Sequence, residues 1–172
     1  MSRYFRHSLS TMTTPTGRGF NFLINHYGID VSTEGYLIPT QSLEEILADK
    51  FIALAYRSRR IKPRDLWDIV WIKQQGIKIN TELVYNKLQA RGKQQDDFLK
   101  MLQTQLDRLN NIDEVKIDFN SEMSRFVPAE IKQRTLDNPD YWPYLKGEIS
   151  QLAQILTSQP PSLKANPFDM NI

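Results

Sequence analysis

From Ser42 to Gln75 the chain reads SLEEILADKFIALAYRSRRIKPRDLWDIVWIKQQ, two apolar stripes of helical period, each broken by charge. Winding at about 100° per residue gathers Leu43, Ile46, Leu47 and Leu54 on one side of the first helix and drops Lys50 into their centre. On the second helix Asp65 falls between Ile69 and Ile72, and Asp68 between Trp71 and Ile72. Ammonium and carboxylate groups are costly to bury unless they are paired or in use. Two readings follow. A structural ion pair joins the helices, or the charges belong to a site.

Capping signals bound these helices. Ser42 and Glu45 have the spacing of a capping box, Pro63 suits a first helical turn, and Gly76 suits a C-terminal cap. Asn80 and Gly92 bracket a third helix over about 81–91, and a fourth over about 95–110 carries Phe98, Leu99, Leu102 and Leu106 on one face. Val115 to Phe119 alternates as a short strand or an extended linker would. Helices follow near Pro128–Leu136 and Tyr144–Leu156.

The first 41 residues differ in kind. Positions 1–17 are rich in Ser, Thr and Arg, while Phe20–Tyr27 and Gly35–Pro39 read as short strands separated by turn signals. Two strands cannot bury a face alone, so the front looks like the remnant of a larger sheet. The expectation is an α+β chain, predominantly α, with short N-terminal strands followed by a multi-helix bundle. Its parts would be a β-rich remnant at 1–41, a helical domain at 42–157, and a loose proline-containing tail at 158–172.

Composition narrows the function classes. At 172 residues, 40% hydrophobic and 24% charged, the chain has the balance of an ordinary globular protein. It has no cysteine, hence neither disulfides nor thiolate metal sites. No apolar run reaches the ~18–20 residues that span a bilayer, and the N-terminus lacks the apolar core of a signal peptide. A cytoplasmic setting without membrane contact is expected. The net charge of +2 does not by itself argue for nucleic acid, but Arg57, Arg59, Arg60, Lys62 and Arg64 crowd the junction between the first two helices. That cluster suits phosphates, or else a solvated helix end whose cations complement the dipole.

SLEEILADKFIAL followed by KPRDLWDIVWI resembles the C-terminal half of the AbiEii-type nucleotidyltransferases, toxins of type IV toxin–antitoxin and abortive-infection systems within the polymerase-β-like superfamily. There, a helix bearing a lysine precedes an Arg and a short Asp-Leu-x-Asp helix. Lys50 matches the first, and Arg64, Asp65, Leu66 and Asp68 the second, over roughly residues 30–155. The resemblance implies transfer of nucleotides from a nucleoside triphosphate to an RNA acceptor, with Mg²⁺ as cofactor and a cognate antitoxin as partner. It implies Lys50 and Arg64 as nucleotide-binding residues and Asp65 and Asp68 as catalytic ones; Arg57, from the cationic cluster, is the further nucleotide-binding candidate.

One departure accompanies the match. The family carries an earlier strand–turn–helix with a Gly-Ser or Gly-Gly start and an acidic pair that holds the metal. This sequence has neither dipeptide, and its first 41 residues hold only Asp30 and Glu34 as acids. The chain is therefore expected to be truncated, mis-started or degenerate relative to the family, with the missing N-terminal half as a possible partner. The alternative is a catalytically inactive nucleotide- or partner-binding helical module whose Lys50–Asp pair is structural.

The remaining candidates have simpler explanations. Asp65, in a first turn, is favoured by the helix dipole, whereas Asp68 looks the more enclosed and is a natural Lys50 partner. Trp67 and Trp71 read as core, and Tyr141, Trp142 and Tyr144 as packing that caps the bundle. Asp96 and Asp97 suit a helix start, and His7 and His26 are isolated.

Overall fold

The computed structural model describes residues 40–158. Among them lie seven helices: α1 (Leu43–Tyr56), α2 (Pro63–Gln74), α3 (Thr81–Ala90), α4 (Gln95–Asn111), α5 (Asp113–Met123), α6 (Ala129–Arg134) and α7 (Tyr141–Ser158). The helical expectation holds over this span. The expected strands at 20–27 and 35–39, together with His7, His26, Asp30, Glu34 and the proline-containing tail, lie outside the described residues.

Local signals end the helices where the sequence places them. Pro63 opens α2, and Gly76 follows it with φ +80°, a left-handed conformation that costs glycine no Cβ clash. Asn80 caps α3 by accepting from the Leu83 amide at 3.0 Å. Gly92, at φ +64°, ends it. Asp96 and Asp97 occupy the first turn of α4, favourable for the helix dipole.

One apolar core runs through the bundle, and α1 is its hub. It packs on α2, α3 and α4, while α2 also meets α5 and α7. Three neighbours bury a broad arc of α1: Leu47, Ala48, Phe51, Ile52, Leu54 and Ala55. The centre of that arc lies roughly 120° around the helix from Lys50. Lys50 thus stands at the margin of the core and not at its centre, with its side chain 26% exposed. The alanines, small enough to admit neighbouring helices closely, turn the buried face away from the stripe that the larger residues suggest.

Two sequence expectations give way here. Residues 115–119 belong to α5 and are helical. Phe119 and Met123 are buried and Val115 partly so, at the four-residue spacing of a helix, while Ile117 is 66% exposed. Trp71 is 46% exposed, although its neighbour one turn earlier, Trp67, packs against the core. Phe119 and Tyr141 cover Trp67, with ring centroids 6.5 and 6.0 Å away. No corresponding ring contact covers Trp71 among the described residues. Tyr141 and Trp142 do cap this end of the bundle, both packed with Phe119, and Tyr144 is exposed beside Tyr141.

Candidate functional site

The turn between α1 and α2 folds the two helices against each other, so that Lys50 on α1 and Arg57 just past its end face the first turns of α2. Lys50 Nζ lies 3.0 Å from Asp65 Oδ1 and 2.5 Å from Asp68 Oδ2. Arg57 Nε lies 2.6 Å from the other Asp65 oxygen, Oδ2. Four of the five residues singled out in the sequence therefore meet in one network. Arg64 stands apart from it, its guanidinium 3.9 Å above the Phe126 ring and 3.4 Å from Glu122.

Burial assigns the two carboxylates different roles, contrary to the expectation that Asp68 is the more enclosed. The Asp65 side chain is 5% exposed and that of Asp68 40%. Asp65 faces the α1–α2 contact, whereas Asp68, one turn on, is open to solvent. Partial burial disfavours the Lys50 charge, but hydrogen bonds to Asp68 and Asp65 outweigh it and raise its pKa above the ordinary lysine value. Lys50 stays an ammonium. The Arg57–Asp65 contact is ionic and off-axis, since neither Nε nor Oδ2 gains an aligned hydrogen bond. A buried carboxylate oxygen with no aligned donor is an unfinished arrangement.

Beside the network opens a cleft of about 600 Å³, lined by Tyr56, Arg57, Ser58, Arg59, Arg60, Lys62, Arg64 and Glu122. Its size falls within the ~300–1,000 Å³ typical of ligand pockets. Arg60 is held by Asp118 at 2.9 Å and by Glu122, both on α5. Among the described residues Arg59 and Lys62 pair with no carboxylate, so the cleft keeps unneutralised positive charge. An anion entering it would meet guanidinium groups suited to bidentate phosphate contact.

The α5 acids Asp118 and Glu122 escaped the sequence reading because 115–119 reads as strand or linker there. Gln105 and Arg108 on α4 escaped it too. Gln105 did leave a signal, an amide on the face that carries Phe98, Leu102, Leu106 and Leu109.

Mg²⁺, implied by the family resemblance, does not fit the described residues. No group of three or more His, Asp or Glu side chains comes together among them, and the two carboxylates that share a site are already bridged by an ammonium. A divalent cation there would face Lys50 directly.

The chain matches the family described as "Nucleotidyl transferase AbiEii toxin, Type IV TA system" over residues 19–146. It belongs to the AbiEii family. The match covers all of α1 to α6 and the first turn of α7, and thus the whole Lys50–Asp65–Asp68 network. No curated protein and no solved structure matches the chain. As an AbiEii protein it is a nucleotidyltransferase-like toxin of a type IV toxin–antitoxin system, a class that implies an antitoxin partner. No described helix is long and apolar enough to cross a membrane.

Proposed function

We propose that this AbiEii protein transfers nucleotides from a nucleoside triphosphate to an RNA acceptor in the cytoplasm, and that the α1–α2 junction is the nucleotide side of its site. The observation that carries this reading is the Lys50 ammonium bridging two carboxylates, one of which also meets Arg57 on the wall of an open, cationic cleft. Lys50, Arg57 and Arg64 neutralise the triphosphate. An acceptor hydroxyl oxygen bonds to the α-phosphorus, the bond from that phosphorus to the bridging oxygen breaks, and pyrophosphate leaves. The hydroxyl proton passes to Asp68, the carboxylate that solvent reaches. Asp65, buried between Lys50 and Arg57, orients both cations.

A second reading draws on the same geometry. Asp65 already engages two cations, which is also what a structural lock between two helices requires, and the chain would then be an inactive nucleotide- or partner-binding module. Calorimetric titration of the full chain with each nucleoside triphosphate, with and without Mg²⁺, separates the two. The proposal expects binding that Lys50→Ala removes with little loss of fold stability. Absence of binding by the folded wild type, or unfolding of Lys50→Ala, supports the lock.

A further inference from the structure

Asp65 and Gln105 are the two buried polar or charged residues among the described ones, each 4% exposed as a whole residue. Asp65 belongs to the site above, and Gln105 to no step of it. The Gln105 Nε2 donates to the Arg57 carbonyl at 3.0 Å, and its Oε1 accepts from Arg108 Nη1 at 3.2 Å. Arg108 in turn reaches the carbonyls of Ser58 at 3.4 Å and Arg59 at 3.5 Å. One turn of α4 thus receives three successive carbonyls of the α1–α2 junction. Those same three residues line the cleft, whereas neither Gln105 nor Arg108 does.

We infer that Gln105 and Arg108 are positioning residues, which fix the 57–59 turn so that its cations form one preorganised group for linked phosphates. The inference rests on the nucleotide reading of the cleft and assigns α4 a part in it. A turn whose carbonyls had only solvent as partner would sample many shapes, and each would place Arg57 and Arg59 differently. Preorganisation removes that ordering cost from binding. It matters most for a chain of phosphates that must touch several cations at once, and least for a single phosphate.

The test is calorimetric binding of inorganic tripolyphosphate and of orthophosphate by the full-length wild type, Arg108→Met and Arg108→Lys, each with a thermal melt. Met keeps the aliphatic stem and removes every donor. The expected result for Arg108→Met is about tenfold weaker tripolyphosphate binding, matching the low end of what losing a partner that orients a metal ligand costs, with orthophosphate binding and the melting temperature nearly unchanged. Arg108→Lys restores part of the loss. Unchanged tripolyphosphate affinity in Arg108→Met overturns the inference and leaves the nucleotide reading standing. Equal loss of both ligands also overturns it, because Arg108 would then act as a general cation. Should Arg108→Met fail to fold, Gln105→Glu takes its place, since it removes the donor to Arg57 while keeping a partner for Arg108. A wild type that binds no tripolyphosphate overturns the inference and the nucleotide reading together.

Discussion

Asp49 and Lys50 are neighbours on α1, and each joins α1 to a different helix. Asp49 takes Lys87 at 2.8 Å and Arg91 at 2.7 Å, tying α1 to α3. Lys50 takes Asp65 and Asp68, tying α1 to α2. Consecutive helix positions point about 100° apart, so one dipeptide serves two seams. The clusters differ in depth. The Asp49 side chain is 25% exposed and Arg91 46%, which leaves that cluster partly solvated and its ion pairs of small net value. Asp65 is 5% exposed and draws on two cations. Through Arg57 it also adjoins the cleft. What sets the Lys50 network apart is therefore its buried carboxylate and that carboxylate's link through Arg57 to the cleft, not ion pairing as such.

Removing Asp65 sharpens the contrast most. Asp65→Ala leaves Arg57 and Lys50 without their buried partner and is expected to destabilise the fold by about 3 kcal/mol, toward the low end for a broken buried pair because both cations keep some solvent. Asp68→Ala, at a half-exposed position, is expected to cost no more than about 1 kcal/mol. Urea denaturation of the two variants checks this. Equal losses would erase the distinction drawn between the carboxylates.

A smaller effect separates the two clusters by pH. The Lys50 pKa is raised in the fold by its carboxylates despite opposing desolvation. Its contribution is thus fully present below the unfolded value of about 10.4 and is lost as pH rises through the folded value. Burial acts to raise the Asp49 pKa, but Lys87 and Arg91 prevail and lower it. That contribution is present above an unfolded value of about 3.9 and is lost as pH falls through the folded one. Denaturation across the pH range is expected to show a shallower alkaline decline in Lys50→Met and a shallower acid decline in Asp49→Asn. Tyr56, Tyr85 and Tyr141, all raised by burial, add to the alkaline slope in every variant. A slope that neither substitution alters would remove these two groups as its cause.

Much of this was legible in the residues. Period and caps located the helices from 43 to 111, and charge on an apolar stripe brought Lys50, Asp65 and Asp68 forward before any contact was known. Where the reading failed, the cause is specific. Val115, Ile117 and Phe119 alternate by coincidence, and only Met123, four residues further on, reveals the helical period. Alanines carry no weight in a stripe of large residues, yet Ala48 and Ala55 set which side of α1 is buried. Trp71 is exposed because the rings that cover Trp67 come from α5 and α7, distant in sequence. The Gln105–Arg108 contacts end on backbone carbonyls, which no side-chain pattern records.

The most direct test is the thermal shift produced by a nucleoside triphosphate in the wild type, Lys50→Met and Asp49→Asn. If the Lys50 network is a nucleotide site and the Asp49 cluster a helix seam, the shift disappears in Lys50→Met and persists in Asp49→Asn. A shift that survives in Lys50→Met, or that vanishes equally in both variants, would contradict that division of labour.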